Sequence, residues 1–150
     1  MAAFTLGIAS LSHAEVVLPK VIDSHMILQR GVDAPVWGWA DQGEAVTVKF
    51  AGQSKTATPD ASGKWMVKLD PLTASTESRV MTIAGNNTLL LEDVLVGEVW
   101  LASGQSNMEW SLAQVAQAEQ AFAATQQSNR LVRAFHVDQH LSSGIPLDDT

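Results

Sequence analysis

The 150-residue sequence contains no cysteine and few positively charged residues. Without cysteine there is no disulfide, no thiolate-bound metal and no cysteine nucleophile. Nine lysines and arginines stand against sixteen aspartates and glutamates, which gives a net charge of −7 and a pI near 4.8. A surface of this sign repels nucleic acid and anionic lipid. We therefore predict no nucleic-acid partner.

The sequence also lacks an apolar run long enough to span a bilayer as a helix. Residues 1–14 (MAAFTLGIASLSHA) are mostly small or apolar, and Ser12 and Ala14 place small residues at the −3 and −1 positions of a signal-peptide cleavage site. The positive region that normally opens a signal is missing, so Met1 is either an internal start or the trimmed end of a longer signal; a disordered or strand-forming N-terminus is the alternative. We predict a signal peptide over residues 1–14 and a secreted or periplasmic protein with no membrane insertion.

Residues 15–93 contain short runs of β-branched and aromatic residues separated by turn residues. The predicted strands are residues 36–40, 45–50, 65–69, 80–83 and 88–91, with turns at 41–44, 51–53, 60–64 and 85–87. Short strands at this spacing, interrupted by Gly and Asp or Asn turns, predict an antiparallel β-sandwich over residues 15–93.

The pattern changes at residue 94. Residues 94–102 (VLVGEVWLA) are nearly all apolar, which predicts a strand buried on both faces, with Trp100 in the core. A helix is predicted over residues 109–127 and a second strand over 131–137. Strand, helix and strand are the opening of a parallel α/β sheet. Because one such unit cannot bury its own faces, we expect residues 94–150 to begin an incomplete α/β domain and the chain to be a fragment.

Ser106 lies in the loop between the predicted strand and helix. Backbone N–H groups at a helix start are unpaired and favour negative charge, so a serine there can attack a carbonyl while N–H groups stabilise the oxyanion. Gly104 permits a tight backbone and Asn107 adds a side-chain donor, although Met108 departs from the Gly-x-Ser-x-Gly pattern. A helix N-cap serine needs the same residue type at the same place, so the loop alone leaves both interpretations open.

Three stretches, in matching order and spacing, resemble the sialate O-acetylesterase family: residues 24–30 (SHMILQR), 35–40 (PVWGWA) and 97–108 (GEVWLASGQSNM). The resemblance runs from about residue 18 to residue 137. It implies a secreted or lysosomal carbohydrate esterase with a mixed fold, in which an N-terminal antiparallel β-sandwich precedes an α/β, flavodoxin-like SGNH-type hydrolase domain.

The resemblance also implies the chemistry. Ser106 is the implied nucleophile, and it forms an acetyl-enzyme from an O-acetylated sugar or glycan. Gly104, Gln105 and Asn107 are implied to surround the oxyanion and the substrate. The reaction needs no cofactor, and no His, Asp or Glu cluster has the spacing of metal ligands. Sialic acid, xylan and other polysaccharides all remain open as the acetylated substrate.

The resemblance places the catalytic histidine and its aspartate in an Asp-x-x-His-like segment near the end of the hydrolase domain. Residues 138–140 (DQH) have one residue too few between the pair. We therefore expect the base beyond residue 150 and these 150 residues alone to be inactive. His136 or His140 is an alternative base if the fold brings it to Ser106, whereas His25 is expected to be structural.

A non-enzymatic hypothesis rests on Trp37 and Trp39, which share one face of their strand. Such a pair either stacks on sugar rings or packs within the sandwich. On this alternative the chain is a non-catalytic glycan-binding or accessory β-sandwich module of a truncated esterase.

Overall fold

The computed structural model describes residues 15–104, 110–114, 117–125 and 130–137. Strands account for most of its regular structure. They are β1 (Ile27–Gln29), β2 (Ala34–Trp39), β3 (Val46–Phe50), β4 (Gln53–Ala57), β5 (Lys64–Leu69), β6 (Ser75–Ala84) and β7 (Thr88–Gly97). A 3₁₀ turn over Leu112–Gln114 and a short helix α1 (Ala118–Thr125) follow. The described part of the chain is therefore rich in strand and poor in helix.

The strands form a five-stranded sheet in the order β1-β7-β6-β3-β4 and a two-stranded sheet of β2 and β5. All neighbours are antiparallel except β1 and β7, which are parallel. The β3–β4 hairpin turns at Ala51 and Gly52, whose φ angles of 49° and 80° are both positive, as a type I′ turn requires. This agrees with the turn predicted at residues 51–53.

Both sheets contribute to one hydrophobic core, because buried and exposed residues alternate along their strands. Its fully buried side chains are Trp65, Leu69, Met81, Ile83, Val36, Val46, Val48 and Val94. The strands predicted at 36–40, 45–50 and 65–69 are confirmed as β2, β3 and β5. β4 was not predicted because its sequence, QSKTA, has no apolar alternation and lies at a sheet edge.

The strand predicted over residues 94–102 is wrong in its second half. Residues 94–96 are buried within β7, which continues through the predicted domain division at residue 94 and lies between β1 and β6. Pairing ends where Gly97 meets Gln29, the last residue of β1. Residues 98–104 form neither strand nor helix, and Trp100, which was expected in the core, is 86% exposed.

The rest of the predicted α/β unit is also different. Residues 132–137 are neither strand nor helix, so the second predicted strand is wrong. The predicted helix over residues 109–127 is represented by the 3₁₀ turn and α1, and its remaining residues are partly outside the described ranges. Across the described ranges, no helix is long and apolar enough to span a membrane. The predicted signal peptide lies outside them, and the division into two domains stays a prediction.

Gly38 offers a test of how the N-terminal segment packs on the two-stranded sheet. Val17 and Trp39 exchange two backbone hydrogen bonds of 2.9 Å, and a Cβ at Gly38 would collide with the carbonyl oxygen of Val17. Gly38→Ala should therefore lower the free energy of unfolding by roughly 1–3 kcal/mol, as measured by urea denaturation.

Gly97→Ala is the matched control, because a Cβ there would meet only Ile27 Cγ2, at an ordinary 3.7 Å. Equal urea midpoints for the two variants would contradict the close approach at Gly38.

Candidate active site

The loop predicted to carry the nucleophile is only partly within the described residues. Gly104 is exposed and belongs to neither a strand nor a helix. Gln105, Ser106 and Asn107 lie outside the described ranges, so their predicted roles remain predictions. The structure shows how the chain leaves β7 before this loop and how the helical segment starts after it.

Gln29 holds the chain where it leaves β7. Its Oε1 accepts a hydrogen bond from the backbone N–H of Val99 at 2.8 Å. Its Nε2 donates to Glu98 Oε2 at 3.1 Å and to the carbonyl oxygen of Arg30 at 3.2 Å. Where the backbone pairing of β1 and β7 ends, the side chain of Gln29 thus hydrogen-bonds to the two residues that follow β7.

Arg30 strengthens the same contact. Its backbone N–H donates to the carbonyl oxygen of Gly97 at 2.9 Å, and its Nε donates to Glu98 Oε1 at 2.6 Å. The hydrogen bonds from Gln29 and then Arg30 hold the pKa of Glu98 below its usual range, since they favour the charged carboxylate. Gln29, Arg30 and Glu98 together form the exit cluster.

On the far side of the loop, Ser111 and Gln114 cap the 3₁₀ turn. Gln114 Oε1 accepts hydrogen bonds from the backbone N–H of Ser111 at 2.8 Å and from its hydroxyl at 2.9 Å. This matches the half of a capping box in which the third helical residue reaches back to the cap. Within residues 110–125, helical structure thus begins after Ser111, so oxyanion donors at a helix start next to Ser106 stay a prediction.

A second polar cluster joins three segments that sequence analysis did not connect. Asp93 Oδ2 accepts hydrogen bonds from His25 Nδ1 at 2.8 Å and from Arg133 Nη2 at 2.7 Å. The hydrogen bonds from His25 and then Ser78, with the nearby charge of Arg133, lower the pKa of Asp93. His25 and Asp93 both have positive φ angles, 68° and 53°, which are uncommon for residues other than glycine. The structural role predicted for His25 fits this contact.

A shallow cleft of about 290 Å³ adjoins the exit cluster. It is lined by Ile27, Leu95, Glu98 and Leu131, together with residues 74–76 and 96–97. Leu131 comes from the segment that Arg133 anchors to Asp93. The cleft therefore lies between the exposed end of the five-stranded sheet and the 130–137 segment.

The described residues do not identify the general base of the proposed reaction. His136 is exposed in the 130–137 segment, and His140 lies outside the described ranges. Over the same ranges, no three or more His, Asp or Glu side chains are grouped where they could hold a metal ion.

The fold places residues 24–30, the first of the three stretches on which the family resemblance rests, beside residues 97–99, which begin the third. Residues 24–30 lie beside residues 92–99, and hydrogen bonds join the two segments from one end to the other. Ser24 Oγ accepts from the Glu92 N–H at 2.9 Å, and Leu95 N–H donates to the Met26 carbonyl at 3.0 Å. β1 then pairs with β7, and the exit cluster follows.

Comparison with known proteins agrees with this resemblance. No family model matches the chain. The sialate O-acetylesterase of Mus musculus is 37% identical over 139 residues, which cover 85% of this chain and 25% of that protein. The Homo sapiens sialate O-acetylesterase is 35% identical over 142 residues, 85% of this chain and 27% of that protein. The chain belongs to the sialate O-acetylesterase family.

A solved structure supports the same family. A carbohydrate acetylesterase from Xanthomonas citri matches with a TM-score of 0.67 and 42% identity, over 73% of this chain and 25% of that one. This member of the sialate O-acetylesterase family spans about a quarter of the length of the curated relatives it matches.

The Asp93 contacts predict a pH dependence of stability. Because the pKa of Asp93 is lower in the folded state than its ordinary value of 3.8, its contribution is present above that value and is lost as the pH falls through the folded pKa. Asp93→Asn should therefore be less stable than the parent protein near neutral pH, and the difference should shrink on acidification. Urea denaturation at a series of pH values measures this.

Asparagine tolerates a positive φ, so the substitution leaves the backbone preference intact. Asp33→Asn, at an exposed position just before β2 and outside these contacts, is the control. A loss of stability in Asp93→Asn that changes no more with pH than that of Asp33→Asn would contradict the prediction.

Proposed function

We propose that the chain is part of a carbohydrate O-acetylesterase in which Ser106 attacks the acetyl carbonyl of an O-acetylated sugar. One observation carries the proposal: relatives 37% and 42% identical to this chain are named a sialate O-acetylesterase and a carbohydrate acetylesterase. Both names describe an enzyme that acts on an acetyl ester of a sugar. The choice between sialic acid and a plant polysaccharide stays open.

The reaction follows from serine ester chemistry. The Ser106 oxygen adds to the acetyl carbonyl carbon while its proton passes to a histidine base. The resulting oxyanion accepts hydrogen bonds from backbone N–H groups of the 104–107 loop and from Asn107. The tetrahedral intermediate then breaks its bond to the sugar oxygen, which takes the proton from the histidine. Water, deprotonated by the same base, releases acetate from the acetyl-enzyme.

The architecture proposed for the intact protein has two parts. The two sheets around one core support the β-sandwich module. An SGNH-type α/β domain would contain the Ser106 loop and supply the histidine and aspartate from another segment. The apolar, signal-like residues 1–14 support secretion or a periplasmic location.

Ser106→Ala in the intact protein should abolish acetate release from p-nitrophenyl acetate and from acetylated sugars, because the attacking oxygen is gone. Ser103→Ala is the control from the same loop and should retain activity, since Ser103 is not the proposed nucleophile. Acetate release by Ser106→Ala at the parent rate would reject the proposed mechanism.

A second candidate function, glycan binding by the strand-rich module, is favoured by the outer face of β2 and β5. Trp37 and Trp39 are half-buried and alternate with buried residues of β2, so they share the outer face; Trp37 also packs against the hydrophobic core. Met66 pairs with Trp37 across the strands and is exposed, while Lys64 Nζ lies 5.9 Å from the centre of the Trp39 ring. Aromatic faces with a polar neighbour are suited to stacking on a sugar ring.

Trp39→Ala should weaken the binding of an oligosaccharide to this face by roughly fivefold or more, and Trp39→Phe should keep much of the affinity, since it keeps an aromatic ring. Titration of intrinsic tryptophan fluorescence measures the affinity, and thermal unfolding checks the fold. Trp100→Ala, which removes an exposed tryptophan away from this face, is the matched control. Equal affinity of Trp39→Ala and Trp100→Ala would remove the support for this candidate.

A further inference from the structure

We propose that Gln29 is a positioning residue of the esterase, and that its side chain sets the direction in which the backbone leaves β7 toward Ser106. The inference rests on the proposed function, because it concerns the geometry of the same loop. Gln29 lies on β1, far from Ser106 in the sequence, and it contacts the chain just before that loop.

Strand pairing of β7 ends at Gly97. Residues 98–104 are exposed and irregular, and Leu101 is 94% exposed. Chain segments with few buried contacts open readily. Among the described residues, the hydrogen bond from Val99 to Gln29 Oε1, at 2.8 Å, therefore links the sheet to the segment that leads to the loop.

The exit cluster affects local geometry more than overall stability. The side chains of Arg30 and Glu98 are 54% and 46% exposed, and exposed ion pairs contribute little to the free energy of unfolding. The Arg30–Glu98 pair orients Glu98, whose Oε2 accepts from Gln29 Nε2. The exit cluster is thus built to fix one rotamer of Gln29 rather than to hold the fold together.

The chain offers a matched control in Gln53. Gln53 Oε1 accepts from the backbone N–H of Asp70 at 2.8 Å, and its Nε2 donates to the Asp70 carbonyl at 3.1 Å. Gln53 therefore makes the same kind of amide-to-backbone contact as Gln29. It does so on β4, at the opposite edge of the five-stranded sheet, where nothing leads to Ser106.

The experiment compares Gln29→Ala and Gln53→Ala in the intact protein. Hydrogen–deuterium exchange should accelerate in residues 98–104 for Gln29→Ala, by roughly fivefold at Val99, because one backbone hydrogen bond is lost. The kcat for p-nitrophenyl acetate should fall roughly ten- to a hundredfold with little change in KM, since small displacements of a reacting group are costly. Gln53→Ala should change neither the exchange rate of residues 98–104 nor the kcat.

A side-chain exchange provides the rescue. In the double variant Gln29→Glu with Glu98→Gln, position 29 still accepts from Val99, while the amide at position 98 donates to the carboxylate at 29. This variant should recover most of the kcat lost in Gln29→Ala. Failure to recover would count against side-chain hydrogen bonding as the cause.

The outcomes separate this inference from the proposed function. Unchanged exchange of residues 98–104 in Gln29→Ala would overturn the inference whatever the activity. Faster exchange with an unchanged kcat, in an enzyme that Ser106→Ala inactivates, would overturn it too. If Ser106→Ala stays active, the proposed function fails on its own, and faster exchange confined to Gln29→Ala would still support the hold of Gln29 on residues 98–104.

Discussion

The shared core of two unequal sheets is the constraint on which the other contacts depend. A two-stranded sheet is only marginally stable in water, so β2 and β5 need the five-stranded sheet to cover their inner face. Trp65 and Leu69 of β5 bury that face together with Met81 and Ile83 of β6. Removing each large side chain from water stabilises the fold by about 1.5–3 kcal/mol. This burial holds β6 in place, and β6 pairs with β7. β1, with its polar side chains, pairs with the other edge of β7.

Much of this core could be predicted from the sequence because it depends on a local pattern. Alternating apolar residues indicate one buried face, and β3 and β5 have this pattern clearly. The end of β7 could not be predicted in the same way. Hydrophobicity continues from Val96 to Leu101, yet a strand continues only while a partner backbone is present. β1 ends at Gln29, and this parallel pairing joins residues about seventy positions apart.

The polar clusters were missed for the same reason. Asp93 meets His25 and Arg133 across separations of 68 and 40 residues, and no short motif connects them. The candidate nucleophile, by contrast, was found through resemblance, since a serine at that place in the sequence also suits a helix N-cap. The structure also shows that residues 24–30 form the hydrogen-bonding partner of residues 92–99, which include the first three residues of the resembling stretch 97–108.

On the role proposed for Gln29, the exit cluster would affect a reaction while contributing little to folding. Its charges are exposed, so water screens them and the folded state gains little. The rate of attack by a serine depends steeply on the distance between its oxygen and the carbonyl carbon. A displacement of about 1 Å can reduce the rate by roughly a hundredfold. One hydrogen bond, donated by the backbone N–H of Val99 to Gln29 Oε1, restricts the backbone just before the loop. The strand-rich part of the chain would then act on catalysis through the direction of one peptide segment, and its own stability would be almost independent of that contact.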